Sequence, residues 1–265
     1  MIENLPFLGP AAPDLGWVPA PRYLLRRRRI LRQLEDMQPC DVLEIGCGAG
    51  MLLQELAARN FVCTALETSA QARNVIERVS KSTGHVISLW DKPSSSWAGR
   101  FPLIMAFEVL EHIENDGEAI MQWASWLAPG GTLLISVPAH PRLWNAADVW
   151  AGHYRRYRKK ELMDLISNAG LSIEHVECFG FPLGNVTEKL QARGIRRQLS
   201  PSEQDLGGHQ ANSERSGVDR GHVLKWFPLM QSLPGRLALR SAFGMQAMTQ
   251  KLPWGNGYLL RAKSL

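Results

Sequence analysis

Short apolar runs alternate with amphipathic stretches along most of the chain. Phe61–Leu66 is apolar at nearly every position, whereas the next stretch repeats apolar residues at intervals of three and four, at Ala72, Val75, Ile76 and Val79. Continuous apolarity is typical of parallel strands covered on both faces, and the second spacing is typical of amphipathic helices. Their alternation predicts an α/β fold, a doubly wound, mostly parallel sheet with helices on both faces. Seven strands are predicted, at Val42–Ile45, Phe61–Leu66, Val86–Trp90, Leu103–Phe107, Leu133–Val137, Ser172–Phe179 and Tyr258–Ala262.

Two regions depart from this alternation. A proline-containing arm and one helix precede the first strand, and a long segment separates the sixth strand from the last. We therefore predict an N-terminal arm and helical cap over 1–38, a core over 39–182 plus 252–265, and an insertion over 183–251 that acts as a lid, an interface or a membrane-facing surface. The predicted helices outside the core are Tyr23–Met37, Val186–Gln198 and Leu237–Lys251, and a polar stretch predicted to be mobile is Ser200–Gly221.

The first predicted strand runs directly into three glycines at alternate positions, Gly46, Gly48 and Gly50. Glycine lacks Cβ, so such a turn can take positive φ and let a ligand approach the backbone closely. The free N–H groups at the start of the following helix add a positive dipole end. A dinucleotide fingerprint needs glycines at relative positions 1, 3 and 6, and Met51 stands at the sixth position. The spacing therefore disfavours a nicotinamide-dependent oxidoreductase.

Three segments in the same order resemble the motifs of one family. Glu44–Gly50 resembles motif I of the class I S-adenosylmethionine-dependent methyltransferases, Glu108–Ile113 resembles the motif after their fourth strand, and Leu127–Gly131 resembles the approach to their fifth. Pro102 departs from the pattern, because relatives usually carry an aspartate there, and it leaves the start of the fourth strand uncertain. The resemblance implies a Rossmann-like sheet and S-adenosylmethionine as the cofactor.

Polar residues follow the carboxyl ends of successive predicted strands, where such sheets bind ligands. The resemblance implies glycine backbone against the methionine portion of the cofactor, Glu67 on the ribose hydroxyls and Asp91 near the adenine. Glu44 would face the ammonium group or only order the turn. The alternative for Glu67 is a solvated residue at the entry to a helix, and the alternative for Asp91 is a helix cap or a turn residue. The predicted cofactor-binding residues are Glu44, Gly46, Cys47, Gly48, Gly50, Glu67, Thr68, Trp90, Asp91, Phe107 and Glu108.

Residues 138–162 are too rich in histidine, arginine and aromatic residues for an ordinary connection. The stretch resembles a small-molecule and lipid-precursor subgroup of the family, and a helix-entry segment with surface charges is the alternative. A histidine near neutrality suits removal of the acceptor proton, and an arginine suits a carboxylate or phosphate. Predicted catalytic residues are His153, His140 and His112, and predicted substrate-binding residues are Tyr154, Arg155, Arg156, Tyr157 and Trp144.

The pair Glu111–His112 has two interpretations, a metal or general-base group and a cap that orients the local helix. Further metal ligands do not stand beside this pair in the sequence, so no metal site is predicted. The densest basic run, Arg26–Arg29, is interpreted as the solvated face of a helix. With a net charge of +5 and no recognisable binding motif, no nucleic-acid partner is predicted.

The predicted activity is transfer of a methyl group from S-adenosylmethionine to a hydroxyl or amine of a small-molecule acceptor, with release of S-adenosylhomocysteine. A peripheral-membrane enzyme acting on a lipid-linked or quinone-type acceptor is one alternative, and a non-catalytic S-adenosylmethionine-binding protein is another. Scattered cysteines, and the absence of a secretory or membrane-spanning pattern, predict a cytoplasmic protein. A position at the inner membrane face and a homodimer are further expectations.

Overall fold

A computed structural model describes residues 2–5, 7–198 and 221–265. The strands in these residues are β1 (Glu3–Leu5), β2 (Gly9–Ala11), β3 (Asp41–Ile45), β4 (Val62–Leu66), β5 (Ile87–Trp90), β6 (Phe101–Phe107), β7 (Leu127–Pro138), β8 (Leu171–Phe179) and β9 (Gly257–Ser264). The helices are α1 (Pro21–Gln33), α2 (Met51–Ala57), α3 (Ala70–Thr83), α4 (Asp116–Trp126), α5 (Ala146–Ala151), α6 (Lys159–Asn168), α7 (Leu183–Gln198), α8 (Gly221–Leu224), α9 (Phe227–Gln231) and α10 (Leu233–Thr249). Residues 200–220 of the polar stretch predicted to be mobile lie outside the described part of the chain.

Seven strands form one sheet in the order β5-β4-β3-β6-β7-β9-β8, and β1 and β2 form a separate antiparallel pair. The first five strands in this order, β5, β4, β3, β6 and β7, are parallel to one another, whereas β9 is antiparallel to both of its neighbours, β7 and β8. The prediction of a mostly parallel, seven-stranded, doubly wound sheet is confirmed. Because the parallel strands all point the same way, the residues that follow them meet at one edge of the sheet.

Alternate residues of the central strands point into two different hydrophobic clusters. Leu43 and Ile104 face a cluster that includes side chains of α4 and α6, whereas Val42 and Met105 face one that includes side chains of α1 and α2. Successive strand residues point to opposite faces of a sheet, so a sheet covered on both faces needs apolar residues at consecutive positions. The unbroken apolar runs in the sequence therefore have a direct structural cause.

Several element boundaries differ from the sequence-based prediction; strand β7, for example, begins at Leu127 instead of Leu133, and two further differences involve proline. Helix α1 begins at Pro21, a residue suited to a first helical turn, and ends at Gln33 instead of Met37. Strand β6 begins at Phe101 in spite of Pro102, and its pairing with β7 shifts register between Phe101 and Leu103. Proline has no N–H to donate to a neighbouring strand, so an irregularity at this position is the expected consequence.

The N-terminal arm packs against the helices that precede the last strand. Leu8, Val18 and Leu24 share a buried cluster with Phe227 and Leu239. The two regions that depart from the alternating pattern are thus in contact with each other, and α1 lies over the edge of the sheet where the parallel strands end. Among the described residues, no helix is both long enough and apolar enough to cross a bilayer.

The interpretation of Arg26–Arg29 as a solvated face is wrong for three of its four residues. Arg28 is exposed, but the other three arginines have mostly buried side chains. Each lies beside a carboxylate contributed by another element: Arg26 beside Glu108, Arg27 beside Glu55 and Arg29 beside Glu177. Helix α1 is therefore attached to the core by ion pairs as well as by apolar contacts.

Candidate active site

A cavity of about 230 Å³ lies at the carboxyl ends of β3 and β6, beneath α1. Three groups of residues line it. The glycine turn contributes Gly46, Cys47 and Gly48, with Glu44 behind them, and β6 contributes Phe107 and Glu108. The N-terminal region contributes Trp17, Arg22, Tyr23 and Arg26. The segments after β6 and around α5 contribute His112, Asp148, Trp150, His153 and Arg156, and we call this part of the wall the acceptor side because it contains predicted acceptor residues.

The glycine turn has the backbone conformation that the sequence predicted. Gly46, Gly48 and Gly50 have φ of 62°, 55° and 68°, a region that side-chain-bearing residues rarely adopt. A Cβ on Gly46 would also lie 2.6 Å from Val109 Cγ2, so this position excludes every other residue unless the neighbouring chain shifts. Gly50 is not part of the cavity wall; it is the residue from which α2 begins.

Glu44 is buried behind the glycine turn, and one of its carboxylate oxygens has no hydrogen-bond partner in the described part of the chain. Burial raises the pKa of Glu44 from 4.5 to about 8, with Arg26 opposing the shift and Glu67 adding to it. A buried carboxyl group without a full set of partners is costly. An ammonium group in the cavity would supply that partner, so Glu44 fits the amino-acid end of S-adenosylmethionine.

Besides Gly50, four predicted cofactor residues stand outside the cavity wall. The buried Glu67 accepts hydrogen bonds from Gly48 N (2.8 Å) and Ser69 N (2.9 Å), and thereby ties the glycine turn to the start of α3. Thr68, Trp90 and Asp91 are exposed at the ends of β4 and β5. The structure gives Glu67 a turn-ordering role, and contacts of these four residues with the ribose and adenine stay predictions.

Glu108 ends β6 with a left-handed backbone conformation, at φ 58°, and its side chain faces α1. Arg22 Nη2 donates to its Oε2 at 2.5 Å, Arg26 Nη1 lies 3.6 Å from Oε1, and Ser136 Oγ donates at 3.0 Å. Burial alone would raise the pKa of Glu108, but Arg22 and Arg26 outweigh it and lower the pKa. Glu108 is therefore ionised at neutral pH and holds α1 over the cavity.

Asp148 is the centre of a buried network on the acceptor side. It accepts from Arg156 Nε (2.8 Å) and Nη2 (2.7 Å), and His153 Nδ1 lies 2.9 Å from its Oδ1. Burial would raise the pKa of Asp148, but the hydrogen bonds from His153 and Arg156 outweigh it. Because an ionised carboxylate only accepts, Nδ1 of His153 carries the proton of this contact. The other ring nitrogen, Nε2, lies 3.8 Å from Glu111 Oε1.

The structure brings only part of the predicted acceptor set to the cavity. His112, His153 and Arg156 line it, but Arg156 is buried and also paired with Glu188, so its role is to hold this network. Tyr157 is buried and donates to Asp116 (2.9 Å), and Arg155 contacts the same carboxylate (2.8 Å). The structure does not place Tyr154, Arg155, Tyr157 or Trp144 on the cavity wall.

His140 lies away from this cavity. It lines a second, more open depression together with Arg142, Phe181 and Trp254. Its Nδ1 is 3.2 Å from the hydroxyl of Tyr258, and burial and Arg142 lower its pKa. His153 and His140 were equal candidates for the base on sequence grounds, and only His153 faces the glycine turn across the cavity.

Several cavity residues are absent from the sequence-based set. Arg22, Tyr23 and Arg26 come from α1, and Asp148 comes from α5. Arg22 and Arg26 are four residues apart, which places them on one face of a helix. The spacing therefore indicates that the two arginines share a helix face, but nothing in the sequence shows that this face meets the ends of the strands.

Comparisons with known proteins agree with this geometry. A family model described as a methyltransferase domain matches residues 20–176, more than half of the chain, and the chain therefore belongs to that family. The prediction of a class I S-adenosylmethionine-dependent methyltransferase is confirmed, and with it S-adenosylmethionine as the cofactor.

Individual relatives are more distant. A ubiquinone biosynthesis O-methyltransferase from Caulobacter sp. (strain K31) is 29% identical over 36% of this chain and 39% of its own length, so the chain spans well under half of that protein. A protein of the same name from Saccharophagus degradans is 24% identical over 58% of this chain and 72% of its own length. Among solved structures, phosphoethanolamine N-methyltransferase 2 of Haemonchus contortus, in complex with S-adenosylmethionine, has a TM-score of 0.55 at 16% identity, over 90% of this chain and 52% of its own. That likeness shows the fold alone.

Proposed function

We propose that the chain transfers a methyl group from S-adenosylmethionine to a hydroxyl group of a small-molecule acceptor. The observation that carries the proposal is one cavity whose wall contains the glycine turn, Glu44 and His153. Two relatives named as O-methyltransferases favour an oxygen acceptor over an amine. When bound, S-adenosylmethionine supplies a methyl group already activated by its positive sulfur.

The side chains of this site have distinct tasks in the proposed reaction. The glycine turn and Glu44 bind the amino-acid end of the cofactor, and Phe107 and Glu108 line the cavity between the two sides. The acceptor hydroxyl lies at the His153 side, where the polar side chains promote loss of its proton. Asp148 fixes the orientation of the His153 ring, and α1 closes the cavity from above. Much of the rate enhancement then comes from holding the two reactants in a reactive geometry.

Two measurements test this proposal. Calorimetry with S-adenosylhomocysteine tests the cofactor side, and formation of S-adenosylhomocysteine from S-adenosylmethionine with a panel of phenols, catechols and sugars tests the acceptor side. His153→Ala should abolish turnover while S-adenosylhomocysteine affinity is kept, and His85→Ala, on the far side of α2 beside Gln54, should change neither. Absence of any heat with S-adenosylhomocysteine would refute the proposal, and binding without turnover on any acceptor would favour the non-catalytic alternative.

A second proposal concerns where the acceptor is reached. Residues 221–256 contain no acidic residue and four basic ones, Lys225, Arg236, Arg240 and Lys251. Large apolar side chains in the same segment are exposed to solvent: Trp226, Leu229, Leu233, Leu237, Met245, Met248, Leu252 and Trp254. Apolar residues flanked by cations, without acids, are typical of a surface that contacts anionic lipid. We therefore propose that this segment binds an anionic membrane surface and that the acceptor is lipid-linked or of quinone type.

Sedimentation with vesicles tests the membrane proposal. The protein should co-sediment with phosphatidylglycerol vesicles and not with phosphatidylcholine vesicles, and 0.5 M salt should release most of it, since such salt screens charges beyond a few ångströms. Leu237→Glu with Met248→Glu should abolish binding, whereas Val86→Glu, equally exposed but on the core, should not. If the same face instead buries against a second copy, vesicles will not be bound and the double variant will convert a dimer to a monomer in sedimentation velocity runs.

A further inference from the structure

Three potential metal ligands meet at the acceptor side of the cavity. Glu111 and His112 belong to a short turn after β6, Leu110–His112, and His153 follows α5. One donor atom from each of the three side chains lies within 4.8 Å of the others. We propose that Glu111, His112 and His153 bind one divalent transition-metal ion, of the class to which Zn²⁺ belongs.

The carboxylate of Glu111 lacks the partners that a buried acid needs. Its side chain is fully buried, and neither oxygen accepts a hydrogen bond from any described residue. His153 Nε2 lies 3.8 Å from its Oε1, beyond hydrogen-bond distance. Its backbone oxygen, by contrast, accepts from Tyr154 N at 2.8 Å, which joins the turn to the segment that carries His153. An acid fixed in place by its backbone but unsatisfied at its carboxylate is consistent with a missing cation.

His153 is arranged as metal-binding histidines usually are. A ligating imidazole almost always donates its second N–H to a carboxylate or carbonyl, which fixes the ring orientation. His153 Nδ1 makes such a contact with Asp148, and Arg156 in turn holds Asp148 by two hydrogen bonds. The atom left for an ion is Nε2, which faces Glu111. The ring of His112 stands edge-on to that of His153 with the ring centres 4.7 Å apart.

The distances and the donor types indicate the kind of ion. Ligands at about 2.1 Å from a Zn²⁺ ion are roughly 3–3.5 Å apart, so donor atoms that are up to 4.8 Å apart need to approach one another by up to about 1.5 Å. Two imidazoles and one carboxylate suit Zn²⁺ or Fe²⁺, whereas Mg²⁺ and Ca²⁺ prefer sites built from oxygen. Three protein ligands also leave coordination positions open, as in catalytic zinc sites. His112 and His153 both line the cavity, so those open positions face it.

If the proposed methyl transfer is correct, the ion also has a role in it. An acceptor hydroxyl that occupies an open position on the ion loses its proton to solvent more readily. Its oxygen lone pair then forms the bond to the methyl carbon, and the electrons of the carbon–sulfur bond return to sulfur, which leaves S-adenosylhomocysteine. His153 Nε2 would in this case be a ligand instead of the proton acceptor.

Metal binding by the purified protein tests the proposal directly. After treatment with a chelator, Zn²⁺ should bind with a stoichiometry of one ion per chain, and Co²⁺ in its place should give visible absorption bands typical of mixed nitrogen and oxygen ligands. Glu111→Gln and His112→Ala should each weaken Zn²⁺ binding by at least about tenfold. His85→Ala, a histidine outside the cavity, should leave it unchanged. Equal binding by wild type and both variants, or no binding at all, would overturn the proposal.

S-adenosylhomocysteine affinity, measured on the same samples, keeps the two proposals apart. It should be retained by Glu111→Gln and His112→Ala, which also shows that these variants are folded. Zn²⁺ binding without S-adenosylhomocysteine binding would leave the metal site intact and refute the methyltransferase proposal. S-adenosylhomocysteine binding without Zn²⁺ binding would refute the metal site and leave the methyltransferase proposal intact.

Discussion

Replacing Glu44 with glutamine should change stability and cofactor affinity in opposite directions. In the free protein Glu44 is buried, and its pKa is raised to about 8. The carboxyl group is therefore protonated in roughly nine of ten molecules at pH 7. In the unfolded chain the same group has its ordinary pKa of 4.5 and is ionised at pH 7. Ionisation of Glu44 thus favours the unfolded state of the wild-type protein over most of the neutral range.

The size of the effect follows from the two pKa values. A carboxyl group whose pKa is raised in the folded state does not lower the free energy of unfolding below its unfolded pKa. The free energy of unfolding then falls progressively as the pH rises from 4.5 to about 8. At pH 7 the accumulated loss is about 3 kcal/mol. Glutamine has nearly the same shape and does not titrate, so Glu44→Gln should be more stable than wild type by about that amount at pH 7 and no more stable at pH 4.

Cofactor binding should show the opposite change. The ammonium group of S-adenosylhomocysteine favours ionised Glu44, so binding at pH 7 should release about one proton and strengthen by nearly tenfold per pH unit between pH 6 and 7.5. Glu44→Gln should release none and should bind roughly 10- to 100-fold more weakly, the range expected for loss of one charged hydrogen bond. Urea unfolding at pH 4 and pH 7 measures the stability change. Calorimetry in buffers of different ionisation enthalpy measures the proton release. The reasoning would be refuted if Glu44→Gln were no more stable than wild type at pH 7, or if wild type bound S-adenosylhomocysteine without releasing a proton.

Two further predictions concern α1 and the glycine turn. Arg29→Ala removes the main partner of the buried Glu177 and should lower the free energy of unfolding in urea by about 3–5 kcal/mol. Arg28 is exposed on the same helix, so Arg28→Ala should stay within about 0.5 kcal/mol of wild type. Equal losses in the two variants would contradict the burial of Arg29. Gly46→Ala and Gly84→Ala both place a side chain at positive φ, and Gly84→Ala should cost about 1–2 kcal/mol. Gly46→Ala also brings Cβ to 2.6 Å from Val109 Cγ2, so it should cost more than Gly84→Ala and should lose S-adenosylhomocysteine affinity in calorimetry. Unchanged affinity in Gly46→Ala would show that the turn does not bind the cofactor.

The central strands of the sheet could be predicted from the sequence because they are covered on both faces. That environment demands apolar residues at consecutive positions, and Leu103–Phe107 is apolar throughout, whereas Val42–Ile45 is apolar except at Glu44. The contact of the N-terminal arm with α9 and α10 could not be predicted in the same way. Leu24 and Phe227 each belong to a helix and are buried in the same cluster. Apolar periodicity predicts that a helix face is buried, but it does not identify the element against which that face packs.

The two sides of the site differ in how far the sequence revealed them. The glycine turn is contiguous, so residue spacing alone indicates its geometry. The acceptor side depends on how residues 138–157 fold back, with Ala139 paired to Tyr157 and His140 N donating to Tyr157 O at 2.8 Å. This pairing directs His140 to one side and His153 to the other. The composition of the stretch predicted that it contains acceptor-binding residues. Only the fold distinguishes the residues that face the cavity from those that stabilise the loop.

Helix α1 shows why a run of like charges need not be a solvated face. Consecutive helical residues point about 100° apart, so four arginines in a row point in nearly every direction around the helix. They can all be solvated only if the helix is free on most sides, and α1 contacts α7, α10, β8 and β9. A long cation in a packed interface needs a carboxylate partner. Once α1 is known to be buried, the run predicts acids facing it from several elements, and Glu108, Glu55 and Glu177 meet that requirement from β6, α2 and β8.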